Sequence, residues 1–250
     1  MLTEPIFYLV AIPAVILMGL SKGGFAGVGA MALPLLALAI SPVQAAAILL
    51  PVLIVQDVVG VWAFRGNWDR DILVLMIPSA IVGIVAGYLL AAKVSATVVL
   101  AILGAISILF AVYRLWLSRG GRVQAPVNAP PALGVVLGIA TGFTSQIAHA
   151  GQPPFQMWVL PKALPTQILV GTTTIFFAVI NVLKIPAYVA LGQFTHENLM
   201  AATVLAPLAV VSTLAGVWLV RRVNAERFYT IIYVLMIVVG AQLLWKALRA

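Results

Sequence analysis

The chain of 250 residues contains no cysteine and only six acidic residues. The absence of cysteine excludes disulfide bonds, thiolate metal sites and a cysteine nucleophile. Charged residues make up 8% of the chain, whereas a soluble domain carries about 25%. So few charges cannot cover a water-exposed surface, and most of the chain must therefore face lipid.

Apolar residues make up 64% of the chain, and the mean hydropathy is +1.17. The net charge of +8 does not indicate nucleic-acid binding, because the lysines and arginines lie between apolar runs rather than on a basic face. That distribution is typical of membrane loops. The N-terminus lacks the basic segment and cleavage site of a signal peptide, so its first apolar run predicts a mature helix.

Long apolar runs with few or no charges predict transmembrane helices, because about 20 apolar residues cross the hydrocarbon layer as a helix. Backbone groups in lipid must be satisfied within their own segment, which excludes open strands. The sequence predicts six plain spans, which cover residues 43–64, 72–92, 94–117, 166–191, 198–220 and 227–248.

Two further apolar regions, residues 5–40 and 131–160, are too long for one crossing and are interrupted. A glycine-rich run breaks the first, and a polar run that ends in Pro153 and Pro154 breaks the second. Glycine permits tight backbone turns, and paired prolines end an incoming helix. Each region predicts a hairpin of two short helices joined by an irregular tip at membrane depth, either re-entrant or fully crossing.

A weak internal repeat relates the two halves of the chain. Gly19 matches Gly142, and further matches follow in the same order, first at the same spacing and then at slightly larger ones. The halves are residues 1–118 and 131–250, joined by a cytoplasmic linker over residues 119–130. The predicted fold is therefore all-α, a polytopic transmembrane helical bundle of two repeats that each open with a broken helix pair.

If each hairpin begins and ends on the same side of the membrane, the positive charges of the loops are distributed unequally between the two sides. Nine of them then share one side: Arg65, Arg70, Arg114, Arg119, Arg122, Lys162, Arg221, Arg222 and Arg227. The other side holds Lys93, Lys246 and Arg249. The positive-inside rule makes the first side cytoplasmic and both termini periplasmic or extracellular. The repeats are then inverted, as in many secondary transporters, and we expect a multi-pass protein of the bacterial inner membrane.

The first tip carries a lysine within a long charge-free stretch. A charge at membrane depth is costly and marks a functional site by default, and glycine-bared amides at a helix start add donors for an anion. The alternative is a shallow tip whose lysine extends to the interface. The candidates for anion binding are Ser21, Lys22, Gly23, Gly24 and Gly27.

The second tip is polar and carries no charge apart from a protonatable histidine. Its side chains could donate hydrogen bonds to oxyanion oxygens. The candidates are Thr144, Ser145, Gln146, His149, Gly151 and Gln152. For His149, a purely structural role is an equal alternative.

Charged and polar side chains inside the plain spans complete the set. Asn181 matches Asp57 at a spacing of 124 residues, and Lys184 follows one turn later. Asp57, His149 and Lys184 are candidates for proton or ion coupling, and Asn181 and Thr172 for binding. The alternatives are an Asp–Lys pair that fixes helix packing, and a threonine that bonds its own backbone.

The run from Gly19 to Pro34 resembles the glycine-rich opening motif of the TauE/SafE family of sulfite and sulfonate exporters. The run from His149 to Pro154 is similar to that family's second-half motif. The resemblance covers essentially the whole chain. It departs at Ser21 and Lys22, where the family often has small, uncharged residues.

The resemblance implies a secondary carrier for sulfite, sulfoacetate or another organosulfonate, which acts by alternating access at a midplane site. It implies neither a cofactor nor a metal. The expected partners are the small anion, the lipid bilayer and a coupling ion, H⁺ or Na⁺, and not nucleic acid; a homodimer is compatible with the sequence. The alternatives are an anion channel and a membrane-embedded enzyme, although no nucleotide-binding or zinc-protease motif is present.

Overall fold

The computed structural model describes residues 4–25, 27–91, 93–118, 120, 129–219 and 225–249. Over these residues the chain is helical and contains no strand. Eight of the described helices are long and apolar enough to cross a membrane. The prediction of an all-α, polytopic transmembrane helical bundle is confirmed.

The first half begins with α1 and a glycine-rich tip. Its helices are α1 (Pro5–Lys22), α2 (Ala32–Leu36), α3 (Pro42–Phe64), α4 (Arg70–Ala91) and α5 (Ala96–Ser118). A short 3-10 turn leads from the tip into α2. Pro42 opens α3, where its missing amide costs no hydrogen bond, and Ser41 Oγ accepts from the Gln44 amide at 3.2 Å.

The second half repeats this order of one long helix, one short helix and three long helices. Its members are α6 (Pro131–Ala148), α7 (Gln152–Val159), α8 (Thr166–Ala190), α9 (His196–Leu219) and α10 (Ala225–Arg249). The six predicted spans end within two residues of α3, α4, α5, α8, α9 and α10. Most of the predicted linker, residues 119–130, lies outside the described residues, as do positions 92, 220, 221 and 222.

The two broken regions differ from the predicted pairs of short helices. α1 and α6 each contain 18 residues, whereas α2 and α7 contain five and eight. The breaks come late in each region, after about five turns of the first helix. Gly24 and Gly27 take left-handed φ angles of 130° and 96° after α1, and His149, at 48°, ends α6.

The first helix of each half packs against the other half. α1 lies along α9, and α6 lies along α4. Gly19 meets Ser212, and four residues later Gly23 meets Gly216, so α1 and α9 run parallel in close contact. Small residues permit such backbone approach in membranes. α3 and α8 contact each other, and α5 pairs with α10. The inversion of the two halves stays a prediction.

Candidate functional site

The first tip meets α3 and α8 in the interior of the bundle. Lys22 ends α1, and its ammonium forms an ion pair with one carboxylate oxygen of Asp57 in α3. Asn181 in α8 donates to the other Asp57 oxygen at 2.6 Å. All three side chains are buried. The charge of Lys22 is therefore neutralised inside the protein, as a buried ion pair requires.

Lys184 lies one turn beyond Asn181 on α8 and has 0% of its surface exposed. Its Nζ atom lies 2.9 Å from His149 Nδ1, 3.1 Å from Ser145 Oγ and 3.3 Å from the Ser145 carbonyl oxygen. These three acceptors are uncharged. Within the described ranges no carboxylate forms an ion pair with Lys184. A buried ammonium with no carboxylate in direct contact is unfavourable, and an anion beside it would relieve that cost.

His149 connects the second tip to α3 and α8. Its Nε2 atom lies 2.9 Å from the Ala46 carbonyl oxygen, which can only accept, so Nε2 carries a proton. An ammonium at Lys184 can only donate, so with Lys184 in that form Nδ1 carries no proton and the imidazole is neutral. The Tyr188 ring stacks on the imidazole with centroids 6.0 Å apart, and its hydroxyl donates to the Gln146 carbonyl at 3.2 Å.

A small cavity lies where the two tips meet α3 and α8. It offers about 40 Å³ to the centre of a water molecule, which is room for about three waters. Its polar lining consists of Ser21, Lys22, Ser145, His149, Gln152, Asn181 and Lys184. The Ser21 hydroxyl is buried, with 8% of the residue exposed, and has no protein hydrogen-bond partner among the described residues. The cavity therefore holds both a lysine that no carboxylate contacts among the described residues and a hydroxyl without a protein partner.

Two further cavities flank the central one. One, of about 20 Å³, lies on the other side of Lys22 and Phe177 and reaches Leu169 near the start of α8. The other, of about 70 Å³, lies beyond Tyr188 and reaches Leu191 just after the end of α8. Because α8 spans the membrane, these flanking cavities lie toward opposite ends of the bundle.

The family model described as sulfite exporter TauE/SafE matches residues 11–243, nearly the whole chain. The chain belongs to the TauE/SafE family. The matched range contains both tips and the entire lining of the central cavity, and the resemblance based on the two tips is confirmed. No curated protein and no solved structure matches the chain. The TauE/SafE family and the eight apolar helices together make this a multi-pass membrane protein of a transporter family.

The structure brings eight of the predicted site residues of this TauE/SafE member together. Seven line the central cavity, and Asp57 binds two of them. Other predicted residues lie nearby but outside it. Gly24 borders the smaller flanking cavity, and Gly151 packs against Ser145. Gly23 packs against α9, and Gly27 faces Phe110 of α5.

Three predicted polar residues lie away from the central cavity. Thr144 Oγ1 donates to the Ala140 carbonyl at 2.7 Å and borders an apolar pocket at α5. Thr172 Oγ1 accepts from the Asp69 amide at 2.8 Å, and Gln146 borders the cavity beyond Tyr188. For Thr144 and Gln146 the physical reason is helix geometry, because neighbouring residues point about 100° apart and Ser145, between them, takes the inward position.

Sequence reasoning missed three residues next to the TauE/SafE cavity. The Phe177 ring lies 5.4 Å from Lys22 Nζ and separates two of the cavities. Gln156 donates to Gln152 at 3.1 Å, and Arg114 donates to Gln156 at 3.3 Å. The spacing of four residues between the two glutamines was the available signal, because it places both on one face of α7.

Proposed function

We propose that this TauE/SafE member is a secondary transporter that carries a small oxyanion, namely sulfite, sulfoacetate or another organosulfonate, through the central cavity. The observation that carries the proposal is Lys184, a fully buried lysine whose hydrogen-bond partners include no carboxylate. An anion in the cavity would provide the counter-charge. Intramembrane charges are retained in transporters for such roles.

The donors proposed for the oxyanion are the Lys184 ammonium, the unpartnered Ser21 hydroxyl and the Gln152 amide. The proposed role of Lys22 differs from the anion binding that the sequence predicted, because Lys22 already forms an ion pair with Asp57. The geometry favours an exchange of roles, with Lys184 at the anion and the Lys22–Asp57 pair in coupling. Asn181 holds Asp57 rather than the anion.

Asp57 is the proposed coupling group, with a proton or Na⁺ as the coupling ion. Either ion at Asp57 would compete with Lys22 and free that ammonium to face the anion. His149 suits this role less well, since it can take a proton on Nδ1 only by giving up Lys184. Coupling through Asp57 would therefore link ion binding directly to the charge of the anion site.

The proposed transport cycle exposes the central cavity to the two membrane faces in turn. Its support is the pair of flanking cavities, which the Lys22–Phe177 contact and the His149–Tyr188 stack separate from the centre. Rocking of one repeat against the other would open one wall at a time. The proposed location is the bacterial inner membrane, with both termini in the periplasm or outside.

Two other functions have less support. A channel would need a continuous path, whereas the two contacts just named interrupt it. An enzyme that uses Ser21 as its nucleophile would need a base bound to that hydroxyl, and among the described residues Ser21 forms no hydrogen bond with His149. Lys184, which no carboxylate contacts directly among these residues, favours the carrier.

The test is uptake of labelled methanesulfonate and sulfite into liposomes that contain the purified protein. A carrier predicts saturation and counterflow against an internal anion. A channel predicts rapid flux without counterflow, and an enzyme predicts a chemically altered product. Protein-free liposomes and liposomes with Lys184→Met are the controls. Absence of saturable, Lys184-dependent flux for every oxyanion offered would overturn the proposal.

A further inference from the structure

A chain of three side chains leads from α5 to the central cavity. Arg114 Nη1 donates to Gln156 Oε1 at 3.3 Å, and Gln156 Nε2 donates to Gln152 Oε1 at 3.1 Å. Gln156 is buried, and Gln152 lines the central cavity and its smaller neighbour. Arg114 is held in turn by Tyr233, whose hydroxyl accepts from Nε at 2.9 Å and whose ring lies 5.5 Å from the guanidinium.

The chemistry of arginine sets the direction of every bond in this chain. A guanidinium carries donors and no acceptor, so Gln156 must turn its carbonyl oxygen toward Arg114. Its amide nitrogen then faces Gln152 and must meet the carbonyl oxygen of that residue. The amide nitrogen of Gln152 is left over, and it has no protein partner among the residues that the structure describes.

We propose that Arg114 and Gln156 are positioning residues that hold Gln152 with its amide N–H groups toward the cavity, where they donate to the bound oxyanion. An unconstrained glutamine can present either its oxygen or its nitrogen to a ligand. The hydrogen bonds from Arg114 through Gln156 fix the orientation of the Gln152 amide. The site then selects hydrogen-bond acceptors such as sulfonate oxygens over cations and hydrogen-bond donors. This inference rests on the anion site of the proposed function.

The decisive variant is Gln156→Glu, which nearly preserves shape and keeps a partner for Arg114. A carboxylate only accepts, so Gln152 must turn its nitrogen toward position 156 and its oxygen toward the cavity. We expect the affinity for methanesulfonate to fall roughly tenfold or more, since a hydrogen bond to a charged ligand is lost. Gln156→Met leaves Gln152 free to rotate, and its expected loss is only about twofold to threefold.

A double-mutant cycle separates positioning from a general effect of the new charge. Gln152→Leu should lower affinity about as much as Gln156→Glu, and adding Gln156→Glu to Gln152→Leu should change affinity no further. Binding is measured by calorimetry on detergent-solubilised protein in chloride-free buffer. Equal melting temperatures and single peaks in size exclusion establish that the variants are folded. Gln156→Met supplies the comparison with wild type if the carboxylate variant does not fold.

Two results would overturn the inference. One is an equal loss from Gln156→Glu with or without Gln152→Leu, and the other is a larger loss for Gln156→Met than for Gln152→Leu. Failure of the proposed function looks different, because the wild-type protein would then bind no oxyanion. If the wild-type protein binds methanesulfonate and the effects of Gln152→Leu and Gln156→Glu on affinity are additive, only the positioning role is refuted.

Discussion

Lys184 Nζ lies 2.9 Å from His149 Nδ1, so that the second tip holds a buried ammonium with a neutral imidazole rather than a carboxylate. Among the described residues no carboxylate contacts this ammonium directly. Asp57, at the neighbouring ion pair, is engaged by Lys22 and Asn181. This arrangement is the reason for proposing that an anion from outside the protein pairs with Lys184.

Replacing Lys184 with methionine should abolish most anion binding. The lost bond joins two charged groups, which is worth about 1.5–3 kcal/mol and corresponds to roughly a tenfold to hundredfold weaker affinity. Calorimetry with methanesulfonate measures the change. Lys93→Met, at an exposed lysine between α4 and α5, is the matched control and should bind as wild type does. Equal affinities for the two variants would remove Lys184 from the site.

The Lys22–Asp57 pair should matter more for stability than for affinity. Removing one partner leaves a buried, unpaired charge, so Lys22→Met or Asp57→Asn should each cost about 3–5 kcal/mol of unfolding free energy. The double variant should recover much of that loss, because no isolated charge remains. Denaturant unfolding in detergent gives these values. If the double variant loses methanesulfonate binding as fully as Lys184→Met does, Lys22 is a direct ligand.

The charge around the cavity predicts a preference for a single negative charge. Two lysines, one aspartate and a neutral histidine leave a net charge of +1 (two positive charges less one). Methanesulfonate and sulfate have similar shapes but differ by one charge, and sulfate should compete roughly tenfold less well. Asp57→Asn raises the net charge by one and should shift the preference toward sulfate. Competition against labelled methanesulfonate checks both, and better inhibition of the wild type by sulfate would contradict the charge count.

Tyr188 should control access to Lys184 from one end of the bundle. Its buried ring stacks on His149 between the central cavity and the larger flanking cavity. Because the chain contains no cysteine, Ser145→Cys introduces a single thiol into the central cavity. Adding Tyr188→Ala should speed its modification by a negatively charged thiol reagent, and methanesulfonate should slow it.

The control for this measurement is a thiol at Asn67→Cys, which is exposed after α3 and should react equally with or without Tyr188→Ala. The measurement is the modification rate in detergent, where both ends of the bundle are accessible. An unchanged rate at Ser145→Cys would mean that Tyr188 does not separate the two cavities.

The orientation in the membrane can be tested with the same cysteine-free background. The positive-inside rule places the loop after α3 in the cytoplasm and the loop after α4 outside. An impermeant thiol reagent should label Lys93→Cys in intact cells, and Asn67→Cys only after the membrane is opened. The reverse pattern would place both termini in the cytoplasm.

The sequence predicted the positions of the six plain spans to within two residues, and it identified the polar and glycine residues of the two tips. Lipid requires about 20 apolar residues for each crossing, and that requirement is readable from local composition. It could not distinguish Thr144 and Thr172, whose hydroxyls bond backbone groups, from Ser145, which lines the central cavity, because a run of polar residues does not say which side chain faces inward. The helix lengths in the broken regions were missed, since glycine marks where a helix can end and not how long it runs.

The sequence by itself determined that the chain is a helical membrane protein and that two interrupted segments carry the polar groups. It also determined the resemblance to TauE/SafE exporters. Only the tertiary structure decided which lysine is neutralised. Lys22 and Lys184 look alike as isolated charges in apolar runs, and their difference arises because α3 brings Asp57 to one of them and α6 brings Ser145 and His149 to the other. Charge compensation in a low-dielectric interior depends on distances of a few ångströms between segments that are far apart in the chain, and local composition does not contain those distances.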